Sequence, residues 1–561
     1  MKTEILIIIL LLVFSYPAVK SLFIPGGYTS HDLTHHVVRQ IDIDRLLSEG
    51  QFPPRWSGEL AFGYGYPLFI FNYPLPPIIG EVFHKMGLNF LDSVKAVFLL
   101  SLVGSTIGMY LFLKSLFNSY LSAFLGSLFY LYAPIHLITV YVSGSPGASM
   151  GLVFPPFIFL AIVKLWSASR GEQKKNQKFF LIGSLSFAGM ILSHNISAFI
   201  FMPVILTFML LLKLLSKKEN PNFIRDVLLM FMFGLGLSAF FWLPALIEKQ
   251  YIRYDQLMKR IYIDQFPTLK QIIYSPWGYG LSHPKSPEGG MSYQIGLAHI
   301  AVMLILLSQL WRFRKVKVFL FIGVFTILSF LVSIFFMLEI SLPFWDNLPF
   351  LSYIQFPLRL LIVPVFCASI GAALLVKYLP WKRLVFFLLL FLVVYANRNH
   401  LGINQKIDLG EQYYQSLKTT ATSFDEDLPI WVLRMRIQKD QSKFSFVSSS
   451  GRISILENKS AKVSAQIEAT QAAAIRFNQY YFPGWTIKVD GKRVDFDYQR
   501  AEDSGLPIFD IQKGKHQILA EFKNTVDRNI ADAISVIIFI TIIIIICKQL
   551  PLNLFKAKKF S

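Results

Sequence analysis

The sequence predicts an α-helical polytopic membrane protein of about twelve spans, with both termini cytoplasmic and a mainly-β extracytoplasmic domain before the last span. Three observations lead there. Of 561 residues, 54% are hydrophobic and only 16% charged, against roughly 25% charged in an average globular domain. The deficit gathers in repeated apolar runs near the ~20 residues that cross a bilayer. The 54 Lys and Arg outnumber 34 Asp and Glu, for a net charge of +20, yet they fall in small groups between those runs. That is the pattern of topology signals, not of a nucleic-acid footprint, and no nucleic-acid partner is expected. Cys367 and Cys547 both lie inside apolar runs, which leaves neither a disulfide framework nor a zinc knuckle.

The runs begin near Glu4, Val94, Ser119, Ala148, Phe179, Ile196, Val227, Leu297, Val318, Pro357, Leu384 and Asn529. The first follows Lys2 and continues to Phe23 without a small-x-small cleavage site, which reads as an uncleaved anchor. Alternate connections carry Arg170, Lys174, Lys175 and Lys178; Lys213, Lys217, Lys218 and Arg225; Arg312, Arg314, Lys315 and Lys317; Lys377, Lys382 and Arg383; then Lys548, Lys556, Lys558 and Lys559. The positive-inside rule assigns these to the cytoplasm. Connections 143–147, 193–195 and 339–353 contain no Lys or Arg and face outward. Three long segments then lie outside a plasma membrane. The expected organisation is a membrane domain over 1–396 with outer loops 24–92 and 248–294, a β-sandwich-like domain over 397–527, and a last span with a basic tail over 528–561.

The first outer segment joins a His-rich patch to Phe62-Gly-Tyr-Gly-Tyr-Pro67 and Asn72-Tyr-Pro-Leu-Pro-Pro77. That composition suits the membrane interface, where apolar rings with wet tips settle. The third segment, about 130 residues, is long enough for a small domain. From Phe444 it alternates apolar and polar residues over 453–456, 462–467, 474–477, 485–489 and 516–522, with Asp490-Gly491 as a two-residue turn. An antiparallel sandwich follows, with Tyr480, Tyr481 and Trp485 as its aromatic core; stacking on carbohydrate is the alternative role for these rings.

Several polar residues stand where polarity is costly. Ser30-His-Asp-Leu-Thr-His-His-Val-Val-Arg39 follows the first span, Ser30 being placed to cap a helix whose apolar set is Leu33, Val37 and Ile41. On that helix His31 and His35 share one face, and Asp32 and His36 the next. Three imidazoles and a carboxylate in six residues suit a divalent metal ion or an acid and a base; the plainer reading is an exposed interfacial helix. His194 and Asn195 end one outward connection, and Arg359 lies in Gln355-Phe-Pro-Leu-Arg359. A guanidinium at membrane depth needs a partner or a ligand and is shaped for phosphate. Pro357 opens the next helix, which puts Gln355 and Arg359 at an N-terminus that favours anions; snorkelling to the interface is the alternative. No phosphate-cradling loop ending in Lys-Ser/Thr and no HExxH occurs, which argues against an ATP-driven pump or a zinc protease.

Taken in order, His31-Asp-Leu-Thr-His35, Gln51-Phe-Pro-Pro-Arg-Trp56, Gly63-Tyr-Gly-Tyr-Pro67, Ser193-His-Asn195, Gln355-Phe-Pro-Leu-Arg359 and Tyr480-Tyr-Phe-Pro-Gly-Trp485 before Asp490-Gly491 resemble a family over nearly the whole chain. These are the multi-pass membrane proteins labelled 6-pyruvoyl-tetrahydropterin-synthase-related, a label that implies no pterin chemistry. The resemblance implies a fold similar to the glycosyltransferase C superfamily, a polyprenyl-phosphate-linked sugar as donor, and an envelope glycan, lipid or protein as acceptor. It places Asp32 where that superfamily has an acidic residue working at the acceptor, with His31 and His35 beside it as candidate catalytic groups. Arg359 and Gln355 would hold the lipid phosphate, with His194, Asn195 and Arg39 completing the substrate-binding set. No cofactor beyond a divalent metal ion is implied. One departure stands out. The second outer connection reads Ser143-Gly-Ser-Pro-Gly-Ala148, where the family pattern has Arg-Gly followed by Glu. That points to a metal-free member, or to one without transferase activity. Two other classes remain: a noncatalytic envelope assembly or binding protein, and a transporter or flippase of lipid-linked glycans, although the chain shows no repeated halves.

Overall fold

The computed structural model describes residues 2–168, 173–215, 221–286, 290–437, 442–500 and 504–549. Among these, seven helices are long and apolar enough to cross a membrane: Thr3–Phe23, Phe90–Phe117, Pro146–Trp166, Asn176–Leu215, Lys317–Met337, Pro357–Tyr378 and Val526–Cys547. Two bent pairs, Tyr120–Leu131 with Pro134–Tyr141 at 42° and Phe223–Leu237 with Ala239–Tyr251 at 70°, raise the number to nine if each is one broken span. The expectation of about twelve is corrected at two short helices. Leu297–Gln309 and Lys382–Ala396 have 13 and 15 residues. At 1.5 Å per residue they reach about 20 and 23 Å, short of the ~30 Å hydrocarbon core. The runs from Phe179 and Ile196 stay distinct: within Gln173–Leu215 two helices meet at a break at His194, whose φ of −161° and ψ of 89° are not helical. Arg170, Lys217, Lys218 and the tail with Lys556, Lys558 and Lys559 lie outside the described residues, as do the side chains of Lys174, Lys175 and Lys548.

Pro357–Tyr378 occupies the centre of the bundle, 94% of its apolar window being buried, against 17% for Val526–Cys547 at the rim. Its Ala368-Ser-Ile-Gly-Ala-Ala373 stretch is nearly all small, and small residues let membrane helices close on one another. A Cβ on Gly126 of the neighbouring helix would stand 2.8 Å from the Ser369 carbonyl oxygen.

The β elements are β1 (Gly27–Tyr28), β2 (Lys406–Ile407), β3 (Phe444–Phe446), β4 (Gly451–Lys459), β5 (Lys462–Ala469), β6 (Ala473–Phe477), β7 (Trp485–Val489), β8 (Lys492–Val494), β9 (Ile508–Ile511) and β10 (Gly514–Phe522). β1 pairs with β2; the others form an antiparallel sheet ordered β4-β5-β10-β7-β8 and a second ordered β3-β6-β9. Alternation along β5 buries Val463, Ala465, Ile467 and Ala469 on one face. Asp490 and Gly491 both take positive φ, 49° and 80°, the geometry a two-residue hairpin loop requires between β7 and β8. Tyr480 and Trp485 are buried in the core of this domain.

The first long segment does not lie as an aromatic skin on the membrane, as its composition suggested. Trp56, Tyr64 and Tyr66 are buried in the same apolar core as β5 and β7. Trp56 Nε1 donates to Gln479 Oε1 at 3.0 Å, and Lys443 Nζ donates to the carbonyls of Gly58 and Gly63 at 3.0 and 2.9 Å. Tyr64 stacks on Tyr480 at 5.4 Å. Indole N–H and phenol O–H groups can sit inside a core when partners are available, and Gln479 supplies one to Trp56 and Thr422 and Asp427 to Tyr66. The domain is tied to the bundle by Arg528, whose guanidinium donates to Glu248 Oε2 at 2.9 Å and to the Pro483 carbonyl at 2.8 Å. Arg55 adds a second tie, to Asp532 at 2.6 Å.

Candidate active site

The site forms where the start of helix Leu33–Ser48, the break at His194, the turn before Pro357 and the 421–427 loop of the third long segment meet. The helix begins at Leu33, later than the sequence suggested. Ser30 Oγ accepts from Leu33 N–H at 3.2 Å, so Ser30 caps the helix and the Asp32 carboxylate is not consumed as a cap. Backbone N–H groups of His31 and Asp32 donate to the carbonyls of Val142 and Ser143, at 3.0 and 2.8 Å. Gly144 makes this approach possible: it has φ +65°, and a Cβ there would stand 2.6 Å from Ser30 Oγ. The connection that lacks the family's Arg and Glu thus supplies main-chain contacts that fix the base of the site. Gly147-Ala-Ser-Met-Gly151, within it, has the spacing of a nucleophile elbow, but it lies in a short helix with Ser149 buried, not on a strand-to-helix turn.

The Asp32 carboxylate is half-buried and, among the described residues, receives one bond, from Ser423 Oγ at 3.3 Å. His35 stands beside it. Burial and Arg39 lower the His35 pKa, while Asp32 and Asp425 oppose them, so the imidazole is neutral at pH 7. The other two imidazoles diverge. His31 Nε2 is bonded to the Gly280 carbonyl at 2.9 Å, and His36 turns into the protein, where burial holds it neutral. Among the described residues no group of three or more His, Cys, Asp or Glu is placed to hold a metal ion. The expected His-rich metal cluster is therefore not assembled by this fold, because the chain is not yet helical at His31 and its ring leaves the shared face.

Arg359 is held from one side. Its Nη1 donates to the Ile354 carbonyl at 3.0 Å and to Gln355 Oε1, and its guanidinium lies 4.9 Å from the Phe356 ring centroid. Nη2 and Nε have no hydrogen-bond partner among the described residues, and no described carboxylate pairs with the group. Gln355 itself is strained, at φ 64° and ψ −56°, and its Nε2 donates to Tyr254 Oη at 2.9 Å. Burial pushes the Tyr254 phenol up to about 12, so it stays neutral. His194 completes this side. Its Nδ1 accepts from Ser197 N–H at 3.2 Å, and since that N–H can only donate, the neutral ring carries its hydrogen on Nε2. Nε2 has no partner among the described residues. The ring packs edge-on to Tyr73 at 5.8 Å, and Tyr73 in turn closes over Gly147, where a Cβ would stand 2.1 Å from the phenol ring. Charge interactions link Arg359 to His194, Tyr73, Tyr254, Asp32 and Glu426.

Of the sequence candidates, Asp32, His35, His194, Gln355 and Arg359 converge. Arg39 reaches away from the opening: Nε and Nη2 both donate to the Ala421 carbonyl, at 3.0 and 2.6 Å, so it positions the 421–427 loop. Asn195 is exposed and makes no hydrogen bond to the others. Tyr73, Tyr254, Ser423 and Glu426 were not anticipated. The run Asp425-Glu-Asp427, three acids in a basic chain, was the available signal for the last of these.

No family model matches the chain, so the pterin-synthase-related label of the sequence resemblance finds no support in one. A curated protein of Lactococcus lactis subsp. cremoris (strain MG1363), described as uncharacterized, is 26% identical over 248 residues, 43% of this chain and 39% of that protein. Three solved structures overlap the fold. The Archaeoglobus fulgidus oligosaccharyltransferase is 11% identical, with a TM-score of 0.41 over 76% of this chain and 61% of that one. The mycobacterial arabinofuranosyltransferase AftD is 13% identical, with a TM-score of 0.44 over 73% and 28%. ArnT from Cupriavidus metallidurans, bound to undecaprenyl phosphate, is 12% identical, with a TM-score of 0.37 over 67% and 60%. The chain thus spans less than two thirds of each of these proteins.

Proposed function

We propose that the protein is a membrane glycosyltransferase that moves a sugar from a polyprenyl-phosphate donor to an envelope acceptor on the extracytoplasmic face of the plasma membrane. The observation that carries this reading is an open base facing an open anion site. Among the described residues Asp32 is a carboxylate with a single weak partner, and Arg359 and His194, within electrostatic reach of it and of each other, keep unused N–H donors.

In this reading Asp32 accepts the proton of an acceptor hydroxyl as its oxygen attacks the anomeric carbon. The bond from that carbon to the phosphate oxygen breaks, and the lipid phosphate leaves with the electron pair. Arg359 and the His194 Nε2–H stabilise the charge that develops on the phosphate, the kind of preorganised donors that act most strongly where water is excluded. Gln355 and Tyr254 hold Arg359 in place, and the strained Gln355 backbone is the cost of aiming it. One displacement inverts the anomeric centre. Neutral His35 beside Asp32 takes up the proton in turn. The bundle also keeps the lipid tail of such a donor beside the site, whereas a soluble sugar nucleotide would need no span at all.

The test is the envelope glycan and glycolipid profile of a deletion strain complemented with wild type or with Asp32→Asn, at equal membrane abundance. Loss of one sugar decoration, restored by wild type alone, is the expected result. An unchanged profile, or full rescue by Asp32→Asn, overturns the assignment and favours a binding or transport role.

A further inference from the structure

At the end of helix Leu33–Ser48 farthest from Asp32, a cavity of about 350 Å³ opens between three pieces of chain. The first is the helix end itself. Gly50, at φ 82°, turns the chain back, its N–H and that of Gln51 donating to the carbonyls of Leu47 and Leu46 at 3.0 and 2.9 Å. The second is the run 51–55 that follows. Gln51 Oε1 accepts from the N–H groups of Arg55 and Trp56 at 2.6 and 2.7 Å, and Arg55 is fastened to Asp532, so this wall stands without help from a ligand. The third is the β4–β5 hairpin, whose two-residue loop, Ser460 and Ala461, leans on Gly58, where a Cβ would stand 2.7 Å from Ser460 Cα. Ser460 N–H donates to Glu49 Oε2 at 2.7 Å and closes the hairpin onto the helix end. Phe522 and Asn524 complete the lining.

The lining is polar, but its charges cancel. Glu49 and Glu457 stand against Lys459 and Lys462, and Arg55 is offset by Asp532 at 2.6 Å. An ion entering the cavity would meet as many acids as bases, so the field selects neither sign. Hydrogen-bonding capacity remains. Lys462 and Lys459 lie 2.8 and 3.2 Å from Glu457, each ammonium having three donors and this one ion-pair partner, and Glu49 Oε1 has no partner among the described residues. At the rim is Phe52, 77% exposed. An open aromatic face beside groups that both give and accept hydrogen bonds matches a sugar ring, which has an apolar C–H face and an edge of hydroxyls. The volume falls within the ~300–1,000 Å³ that small ligands occupy.

We propose that this cavity binds a neutral glycan chain, stacked on Phe52 and hydrogen-bonded by Glu49, Lys459 and Lys462. The helix between it and Asp32 has 16 residues, a length of about 24 Å. The cavity therefore grips a polymer well behind its reacting end, and it names a glycan, not a protein or a free lipid, as the acceptor. That last step rests on the transferase reading above; the glycan site itself does not.

The experiment is binding of the purified full-length protein in detergent to the envelope polysaccharide of its own organism, freed of lipid and protein, with undecaprenyl phosphate binding measured on the same samples. Wild type should retain the polysaccharide, and raising the salt should leave this unchanged, since a neutral ligand has no charge to screen. Phe52→Ala should weaken retention by roughly three- to tenfold, the scale of one aromatic contact, and Phe52→Trp should preserve it. Lys462→Met, which keeps the stem and removes the donors, should weaken it by about fivefold. Leu433→Ala, which truncates an exposed apolar side chain elsewhere in the β-domain, should change nothing. Undecaprenyl phosphate binding should be the same in all of them. No retention by wild type overturns the proposal, and so does retention that Phe52→Ala or Lys462→Met leaves intact; an indifferent Phe52 belongs to the lipid interface instead. Retention that disappears as salt rises overturns the neutral assignment. Failure of wild type to bind undecaprenyl phosphate counts against the transferase reading and leaves the glycan site standing.

Discussion

Arg359 and Arg528 stand at the ends of two apolar helices, and they are treated in opposite ways. Arg528 is fully buried and fully engaged: Glu248, the carbonyls of Pro483 and Lys523, and the Phe522 ring at 4.8 Å surround its guanidinium. Arg359 is half-buried, held through one nitrogen, and leaves two unused beside a strained glutamine. A buried cation with every nitrogen engaged is a fastening, because breaking it leaves an uncompensated charge. A cation at membrane depth with donors left over is, in the proposed reading, the receptor for the lipid phosphate. The two differ in burial, and they differ as much in how many guanidinium nitrogens are engaged.

The comparison can be broken at either end. The largest expected effect is catalytic: Asp32→Asn should lower transfer by roughly 10²- to 10⁴-fold, the range for removing a general base, with unfolding temperature unchanged. Glu248→Gln should do the reverse, costing about 3–5 kcal/mol by leaving Arg528 unpaired, read as a large drop in thermal unfolding temperature in detergent. Gln355→Gly relaxes the left-handed backbone while deleting the support of Arg359. It should leave stability unchanged or slightly raised and weaken undecaprenyl phosphate binding by about tenfold, a loss of roughly 1.4 kcal/mol.

The smallest effect concerns pH. Asp42 is buried at the seam between helix Leu33–Ser48 and the β-domain, and burial raises its carboxyl to about 6, with Ser57 and Arg45 opposing. A raised acid binds its proton more tightly when folded, so it contributes stability below its unfolded value near 4 and loses it as pH climbs to 6. Asp42→Asn should therefore flatten the unfolding temperature between pH 4 and 6 and raise it at pH 7, by an amount of order 1–3 kcal/mol. A wild-type profile that rises across that window would show that the carboxylate is ionised without cost.

Much of this was legible where the physics is local. Asp490-Gly491 names its own turn, and period-two alternation marked β5, β7 and β10 before any partner was known. Asp32 and Arg359 announced themselves as charges in costly places. The failures have a common cause in distant contacts. Gly63-Tyr-Gly-Tyr-Pro67 has the same composition whether it floats at an interface or inserts into a core, and only Gln479 and Tyr480, over 400 residues away, decide between them. The 421–427 loop has no period to read, since its shape comes from Arg39, Tyr66 and Asn72. His31 was misplaced by a single turn, because the helix phase starts at Leu33. Apolar runs overstated the spans because hydropathy persists at Leu297–Gln309 and Lys382–Ala396 where helix length does not.

The most direct test measures undecaprenyl phosphate binding and thermal unfolding side by side for Arg359→Gln and Arg528→Gln. The account predicts that Arg359→Gln keeps its unfolding temperature and loses binding, and that Arg528→Gln unfolds far earlier while whatever remains folded still binds. An Arg359→Gln protein that binds the lipid phosphate as wild type does would contradict it.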